Sequence, residues 1–475
     1  MAQVVFWSSL AIIAYVYVGY PLYLLARRRY GLAPVDKQPC RLSVSIVIAA
    51  YNEREAIVDK LEDCLRQVYP PSKLEIVIAL DGPSDGTDRV VERWASAHRR
   101  LTSAWDASRR RPTTPAPARG GRGRGPHRAF LGLGDHPWSP LRSPRRAWPA
   151  PRLTVVRSPR HEGKAGALNR GVAAARGDVI VFADARQRLE SAAVRELIAN
   201  FHDPEVGAVS GEVIVLDENG NVAGDGIGLY WRYDRWLRAL ESDIHSLPGA
   251  TGALHAVRRD LYTPLPADTI LDDVAIPMGA VLRGKRAVLD PAARAYDREQ
   301  PSSAELRRKV RTLAGNYQLL ARMPELLMPW RDPIFLQFAS HKVGRLVVAF
   351  LLPALYASSW MLRGELYTAF LVAQTAAYLL AVVGAYRLRG DRRAHLSGGG
   401  GGPQRLLDRL LSVPYHFVML NWAAVLGLYR YVTHPQDLWQ ASGAAVAVAP
   451  AAGDPRRPRP ARPRLLHAKP RELRL

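Results

Sequence analysis

Two short apolar runs near the beginning of the chain each end abruptly in polar and acidic residues. The first, LSVSIVIAAYN at 42–52, is followed by Glu53, and the second, IVIAL at 76–80, is followed by Asp81. Short runs rich in Val and Ile are typical of buried parallel strands. The segment 54–68 between them predicts a helix, so the three elements indicate a right-handed βαβ unit. Ligands of such sheets bind beyond the carboxyl ends of the strands, which is where we expect the chemistry of this chain.

The same alternation of strands and helices continues further along the chain. Strand patterns at 153–157 and 178–183 flank a helical pattern at 164–175. This alternation predicts an α/β domain with a mostly parallel, Rossmann-like sheet covered by helices on both faces. The segment 101–152 is instead dominated by Pro, Arg, Gly, Ala and Ser and has no sustained period. We expect it to be a disordered insertion in a surface loop.

Four longer apolar runs predict helices that cross a membrane. They occupy residues 4–25, 343–362, 366–386 and 410–429. Each reaches the length of about 20 residues that spans a bilayer. The last contains Pro414, His416 and Asn421, so an interfacial position stays open for it. Arginines at 27–29 follow the first run directly, which disfavours a cleaved signal peptide and predicts that the region beyond them is cytoplasmic.

These patterns divide the chain into five parts. In order they are a transmembrane helix at 1–26, a catalytic α/β domain at 42–318, an interfacial segment at 319–342, transmembrane helices at 343–430 and a disordered basic tail at 444–475. A Gly-rich linker at 398–402 separates the last two apolar runs. His341 and Lys342 are expected to extend toward lipid headgroups. We therefore expect a multi-pass protein of the plasma or inner membrane with a cytoplasmic catalytic domain.

The net charge of +23 does not indicate a nucleic-acid-binding protein. The excess is concentrated in the insertion, where residues 101–152 hold eleven arginines against two aspartates, and in the tail. No basic stripe interleaved with stacking aromatic residues occurs elsewhere in the sequence. The remaining charge is ordinary for a protein that faces anionic membrane lipids. Cys40 and Cys64 lack the spacing of a metal site and fit a reduced cytosolic domain.

Acidic residues occur at three strand or loop ends in the α/β region. They are Asp81, Asp184 after the strand DVIVFA, and the pair Asp272 and Asp273 in DTILDDVAIP. Lys164, in HEGKAGALNRG, falls in the first turn of a predicted helix, where an anionic group such as a phosphate is favoured. Carboxylates beside a lysine indicate a negatively charged substrate that is held partly through a divalent cation.

Six motifs follow one another through this region. They are AAYNE, DGPSDGT, GKAGALN, FADAR, GALHAVRR and LDD. In this order they resemble the membrane-integrated family 2 glycosyltransferases of GT-A fold, whose members include cellulose, hyaluronan and poly-N-acetylglucosamine synthases. The resemblance covers about 42–318 apart from the insertion. It implies a transferase of polysaccharide biosynthesis that takes a sugar from a nucleotide-sugar donor with inversion at the anomeric carbon.

The resemblance assigns roles to residues on the donor side. Tyr51, Glu53 and Asp81 would form the nucleotide pocket, with Asp81 facing the base. Lys164 and Asn169 would contact nucleotide or phosphate groups.

Further roles follow for the reaction itself. Asp184 stands where the first carboxylate of the family's DxD motif belongs and would hold Mg²⁺ or Mn²⁺. Gly252 and His255 would lie on the segment that lines the acceptor site. Asp273, beside Asp272, would be the general base for an acceptor hydroxyl, because a neutral alcohol is a poor nucleophile.

Three positions depart from the family pattern. Arg186 replaces the second carboxylate of the DxD motif. Either its guanidinium supplies the charge that a metal ion would otherwise supply, or the metal is held by Asp184 and the diphosphate alone. Asp272 replaces the glutamate of a Glu–Asp pair. The QxxRW signature of processive synthases is absent. In its counterpart, RRKVRT, Arg311 keeps a cation for the diphosphate, but Thr312 replaces the tryptophan. Transfer of a single sugar or a short chain therefore stays open beside processive polymerisation.

The sequence thus predicts a membrane glycosyltransferase that moves a sugar from a nucleotide sugar, with a UDP-sugar as the expected donor, to a hydroxyl of a lipid or glycan. Two alternatives stay open. One is a transferase whose acceptor is a polyprenyl phosphate, which needs no strong base. The other is a catalytically silent membrane scaffold that retains the fold.

Overall fold

The computed structural model describes residues 1–97, 151–216, 228–298, 302–390 and 403–434. Nearly all of the predicted insertion at 101–152, the linker at 398–402 and the tail at 444–475 lie outside these residues. Their predicted disorder therefore stays a prediction.

The described elements follow the order that the sequence predicts. The strands are β1 Val44–Ala50, β2 Leu74–Asp81, β3 Arg152–Ser158, β4 Val179–Ala183, β5 Arg188–Leu189, β6 Val206–Leu216, β7 Leu254–Arg258 and β8 Arg286–Arg298. The helices are α1 Ala2–Tyr30, α2 Ile57–Leu65, α3 at 87–97, α4 Lys164–Ala174, α5 Ala193–Ala199, α6 Gly228–Ile244, α7 Asp272–Val281, α8 Ser302–Arg322, α9 Phe335–Met361, α10 Glu365–Gly390 and α11 Pro403–Thr433.

The eight strands form a mixed sheet in the order β3-β2-β1-β4-β7-β6-β8-β5. Strands β3, β2, β1 and β4 are parallel neighbours, and β6 is parallel to β8. The predicted mostly parallel, Rossmann-like sheet is confirmed. Strand β7 differs because it runs antiparallel to both β4 and β6. Its direction depends on how the preceding chain returns to the sheet, which a short apolar run does not encode.

Both faces of the parallel half are covered, which explains the unbroken apolar runs. Ile46 and Ile48 of β1 belong to the cluster that Leu61 of α2 completes on one face. Val47 belongs to the cluster of Leu168 of α4 on the other face. Successive strand residues point to opposite faces, so nearly every position is apolar when both faces are buried. The buried polar residues Ser45 of β1 and Glu75 of β2 are hydrogen-bonded to each other at 2.6 Å. Each such side chain contributes about 1.5–3 kcal/mol through burial.

The parallel register brings the carboxyl ends of β1, β2 and β4 to one edge of the sheet. Ala50 is level with Leu80 in the β1–β2 ladder, and β4 pairs with the other side of β1. Tyr51, Asp81 and Asp184, which end or follow these strands, therefore lie along the same edge. Open α/β sheets bind their ligands at such an edge.

Four of the described helices, α1, α9, α10 and α11, are long and apolar enough to cross a membrane. They contain the four predicted runs, except for Leu362, which follows the last residue of α9. Helix α9 begins at Phe335, ahead of the predicted start at Val343. The predicted interfacial segment 319–342 is accordingly divided among the end of α8, a 3₁₀ turn at Pro324–Leu327 and the start of α9.

The prediction that His341 extends to lipid headgroups is wrong. Its side chain is buried, and its ring nitrogens lie 2.8 Å from Oε1 of Glu241 and 3.4 Å from Oδ1 of Asp234 on α6. Lys342 is half-buried. Glu241, which is fully buried, also accepts a 2.6 Å hydrogen bond from the hydroxyl of Tyr20 on α1. One carboxylate of α6 thus joins α1 and α9, because buried polar groups are stable only when they are paired.

Replacing this carboxylate should loosen the attachment of α1 and α9 to the catalytic domain. Glu241→Ala leaves Tyr20 and His341 buried without their common partner, and breaking a buried pair in this way costs about 3–5 kcal/mol. We expect the apparent melting temperature of the detergent-solubilised protein to fall by several degrees, since about 1 kcal/mol corresponds to about 2–4 °C in a domain of this size.

The matched control for this prediction is Glu62→Ala. The Glu62 side chain is 45% exposed and pairs with Arg66 on the surface of α2, so its loss should change stability by less than about 0.5 kcal/mol. Tryptophan fluorescence during heating reports both transitions. Equal melting temperatures for the two variants would contradict the joining role of Glu241.

Candidate active site

The loops that follow β1 and β2 are bound to each other. Asn52, in the left-handed backbone region at φ 53°, accepts a 2.8 Å hydrogen bond on its side-chain oxygen from the N–H of Ser84. Asp85 accepts hydrogen bonds from the N–H groups of Thr87 and Arg54 at 2.9 and 3.1 Å. The DGPSDGT motif therefore both caps the start of α3 and holds the AAYNE turn in place.

Asp81 anchors the loop that leads into α4. It is only 1% exposed, and it accepts hydrogen bonds from the N–H groups of Glu162 and Gly163 at 3.0 and 2.9 Å. Its carboxylate also pairs with Arg170 at 3.1 Å and with His161 at 2.7 Å. We predicted that Asp81 faces a nucleotide base. The structure instead engages both of its oxygens within the protein.

An aromatic surface lies beside this anchored loop. The rings of Tyr51 and His161 are stacked, with centroids 3.8 Å apart and planes 23° from parallel. The His161 side chain is 41% exposed. Flat ring surfaces of this kind suit stacking with a nucleobase. Tyr51 was predicted for the nucleotide pocket, and His161, which the sequence did not single out, stacks directly on it.

Lys164 lies between two carboxylates that come from different elements. Its Nζ is 2.9 Å from Oδ1 of Asp184, after β4, and 3.0 Å from Oδ2 of Asp272, at the start of α7. Burial by itself lowers the pKa of Lys164, but the charges of Asp184 and Asp272 outweigh burial and hold the pKa above its usual value. Gly163, with φ 93°, adopts the turn before Lys164 that only glycine adopts readily.

Asp273 and Asp184 both approach the backbone of Gly252. A Cβ atom added to Gly252 would lie 3.3 Å from Oδ2 of Asp273 and 3.8 Å from Oδ2 of Asp184. The absent side chain of Gly252 therefore allows these two carboxylates to lie close to the same point of the backbone. Burial, followed by the charge of Asp272, raises the pKa of Asp273 to about 6. Such a carboxylate is charged at pH 7 yet is more basic than an ordinary aspartate.

Glu53 and Arg186 form an ion pair across the neighbouring ends of β1 and β4. The Arg186 Nε–H donates to both carboxylate oxygens of Glu53, at 2.8 and 3.0 Å. The Glu53 side chain is 16% exposed, whereas that of Arg186 is 63% exposed. Burial raises the pKa of Glu53, and the charge of Arg186 opposes that rise. The guanidinium thus stands where the family pattern has a carboxylate.

Arg311 of α8 belongs to the same electrostatic neighbourhood. Burial, together with the like charge of Arg308, lowers its pKa, while the charges of Asp184, Asp272 and Asp273 act in the opposite sense. The predicted cation of the RRKVRT segment therefore lies within range of the three carboxylates.

Two of the predicted residues support the cleft through contacts within the protein. The side-chain oxygen of Asn169 accepts hydrogen bonds from the Tyr262 hydroxyl and the Leu265 N–H, and its amide donates to the Leu265 carbonyl at 2.7 Å. His255 of β7 is 1% exposed and stacks on Phe182. Burial lowers the pKa of His255 to about 4. Asn169 thus ties α4 to the 262–265 loop, and His255 packs in the core within range of the charges of Asp272, Lys164 and Asp184. Its place on the segment that lines the acceptor site stays a prediction.

Lys60 of α2 was not identified from the sequence. It is fully buried, and in the described part of the chain its Nζ has no hydrogen-bond partner. Burial lowers the pKa of Lys60, and Asp184 is among the charges that oppose this. The only sign of this buried lysine in the sequence is its place on the apolar face of the helical segment IVDKLEDCL, between Ile57 and Leu61.

The carboxylates of the cleft do not form a donor set for a divalent cation. Among the residues that the structure describes, no group of three His, Cys, Asp or Glu side chains is arranged to hold a metal ion. Lys164 already occupies Oδ1 of Asp184, and Arg186 replaces the second carboxylate of the motif. At phosphate sites Mg²⁺ is usually held by one or two carboxylates together with the substrate phosphates. Of the motif's two carboxylates only Asp184 is present, with Lys164 on one of its oxygens, so the residues present fit the metal that we predicted at Asp184 poorly.

Comparison with known proteins identifies the domain that carries this cleft. The family model described as glycosyl transferase family 2 matches residues 45–106 and 142–264. The poly-beta-1,6-N-acetyl-D-glucosamine synthase of Staphylococcus aureus (strain COL) is 22% identical over 284 residues. The probable glycosyltransferase YdaM of Bacillus subtilis (strain 168) is 22% identical over 290 residues. Each match covers 59% of this chain, and this chain spans 56% of each relative's length.

A solved structure has a similar fold over most of the chain. It is the mannosyltransferase PcManGT from Pyrobaculum calidifontis, in complex with GDP-Man and Mn²⁺, at a TM-score of 0.60 and 19% sequence identity. The similarity covers 91% of this chain and 99% of that one. At this identity the likeness concerns the fold. The order of motifs, the sheet and the family match agree: the domain that carries the cleft matches glycosyl transferase family 2 over residues 45–106 and 142–264 and has a GT-A fold, and four of the described helices are long enough to cross a membrane.

Proposed function

We propose that this protein is a membrane-bound, inverting glycosyltransferase that moves a sugar from a nucleotide sugar, expected to be a UDP-sugar, to a hydroxyl of a lipid or glycan. The observation that carries the proposal is the meeting of Lys164, Asp184 and Asp272 beside Asp273 at the carboxyl edge of the sheet. An inverting transfer needs a base for the incoming hydroxyl and positive charge for the departing diphosphate. This cluster supplies both.

Asp273 is the proposed general base. Because Gly252 has no side chain, Oδ2 of Asp273 and Oδ2 of Asp184 both lie close to its backbone, and the acceptor hydroxyl is proposed to bind next to Oδ2 of Asp273. In the proposed step the carboxylate takes the hydroxyl proton while the acceptor oxygen bonds to the anomeric carbon. The bond from that carbon to the diphosphate breaks, and a nucleoside diphosphate leaves. No covalent enzyme intermediate is required.

Lys164 and Arg311 are the proposed partners of the leaving diphosphate. The two carboxylates around Lys164 keep it protonated at neutral pH. Cations that are fixed before the reaction stabilise developing phosphate charge without reorganisation. The stacked rings of Tyr51 and His161 would receive the nucleobase.

The acceptor is proposed to reach Asp273 from the membrane. The charge of Lys342 on α9 is among those that act on Asp273, so the base lies near the start of a helix that is long and apolar enough to cross a bilayer. An acceptor anchored among membrane lipids would then present its hydroxyl close to the base. The arginines at 27–29 support a cytoplasmic catalytic domain in the plasma or inner membrane. We propose no nucleic-acid partner.

The involvement of Mg²⁺ or Mn²⁺ stays a prediction from the family resemblance. PcManGT is described in complex with Mn²⁺. The side-chain ligands that the described residues of this chain offer do not favour such an ion. No step of the proposed reaction uses a metal ion.

Asp273→Asn should abolish transfer to a hydroxyl acceptor. General-base catalysis contributes about 10²–10⁴-fold, so turnover should fall by that factor while UDP binding is retained. The measurement is release of nucleoside diphosphates by mass spectrometry, with solubilised protein and a panel of nucleotide sugars. The panel also identifies the donor.

The matched control is Asp268→Asn, which makes the same change of charge a few residues earlier. The Asp268 side chain is 58% exposed and pairs with Arg322, so turnover should stay near that of the unaltered protein. Appreciable turnover by Asp273→Asn would instead favour the polyprenyl-phosphate acceptor. If the unaltered protein binds the nucleotide sugar tightly but releases no nucleoside diphosphate, the silent scaffold would be favoured.

The pH dependence of kcat/KM should show the titration of Asp273. The base is active only as the carboxylate, so activity is present above its pKa and is lost as the pH falls through about 6. Below that point the rate should decrease about tenfold per pH unit. Asp272→Asn removes a charge that raises the pKa of Asp273. In this variant the loss of kcat/KM on the acid side of the profile should therefore occur at lower pH. A flat profile down to pH 5 would argue against Asp273 as the base.

A further inference from the structure

We infer that two basic side chains of this protein, Arg186 and Lys164, take over the part that a divalent cation would play in binding the donor diphosphate. The inference rests on the proposed function, since it assumes a nucleotide-sugar donor in the same cleft. It assigns to this chain a diphosphate site built from side-chain cations and predicts that the site works without Mg²⁺ or Mn²⁺.

The ion pair of Arg186 fixes a guanidinium at the metal position of the motif. Its Nε–H donates to both oxygens of Glu53, at 2.8 and 3.0 Å, so the orientation of the planar group is set by two contacts. The side chain remains 63% exposed, which leaves its terminal nitrogens accessible to a ligand. A guanidinium presents N–H groups in the fork geometry that suits phosphate oxygens.

Lys164 supplies the second fixed charge. Its Nζ bridges Asp184 and Asp272 at 2.9 and 3.0 Å, which is the position that a metal ion would need in order to join these carboxylates. The ammonium lies in the first turn of α4, where backbone N–H groups also favour an anion. A metal ion could bind Oδ1 of Asp184 only after displacing Lys164.

The pairing of the charges supports the same conclusion. Glu53 is engaged by Arg186, and Asp184 and Asp272 are engaged by Lys164. A divalent cation placed among them would compete with these two fixed cations for the same carboxylates. The exposed guanidinium of Arg186 can attract an incoming diphosphate without giving up its contact with Glu53.

The test measures the affinity of the full-length, detergent-solubilised protein for UDP and for GDP by isothermal titration calorimetry. One series contains EDTA and the other contains Mn²⁺. The inference predicts that the dissociation constant of the preferred nucleotide differs by less than about threefold between the two series, because charge-assisted hydrogen bonds to Arg186 and Lys164 hold the diphosphate in both.

Arg186→Asp restores the carboxylate that the motif lacks and makes the test sharper. This variant should bind the nucleotide weakly in EDTA and at least about tenfold more tightly with Mn²⁺, because a pair of carboxylates now offers oxygen ligands. Arg186→Gln is the matched control. It removes the same positive charge without adding a ligand, so it should bind weakly in both series. Melting temperatures close to that of the unaltered protein verify that both variants are folded.

The outcomes separate the inference from the proposed function. Binding by the unaltered protein that disappears in EDTA and returns with Mn²⁺ would overturn the inference and leave the glycosyltransferase proposal intact. Unaltered affinity in both variants would also overturn it. If neither UDP nor GDP binds in either series, the proposed donor is wrong, and the inference fails with it.

Discussion

The cleft depends on one ammonium group that lies between carboxylates from two different elements. Asp184 follows β4 and Asp272 begins α7, and Lys164 contacts both at about 3 Å. Without this cation, three neighbouring carboxylates would repel one another and at least one would take up a proton. Lys164 does not cancel all of this negative charge, because Asp272, after burial, still raises the pKa of Asp273. The same arrangement that holds the cluster together therefore leaves one carboxylate basic enough to accept a proton.

The position of Lys164 is itself determined by the sheet. Asp81 ends β2 and accepts the N–H groups of the loop before α4. Gly163 then turns with φ 93°, which places Lys164 in the first turn of the helix. The buried carboxylate of Asp81 thus holds the loop before α4 in place and, through it, positions Lys164, which lies far along the sequence from Asp81.

The sequence predicted those features that depend on local pattern. The strands of the parallel half were found because both of their faces are buried, which makes the apolar runs continuous. Asp184 and Asp273 were found because strand and loop ends carry the chemistry of such sheets. The antiparallel direction of β7, the engagement of Asp81 and the buried place of His255 were not predicted, because each depends on contacts between distant segments. Lys60 was missed for the same reason.

Two adjacent residues of α9 connect the membrane helices with the cleft in different ways. His341 lies against Glu241 of α6, the carboxylate that also receives the Tyr20 hydroxyl from α1. Lys342, the next residue, contributes a charge that lowers the pKa of Asp273, against the larger effects of burial and Asp272. The contact that attaches α9 to the catalytic domain therefore also fixes how far the charge of Lys342 lies from Asp273. A shift of α9 along α6 would change this distance and, with it, the pKa of Asp273.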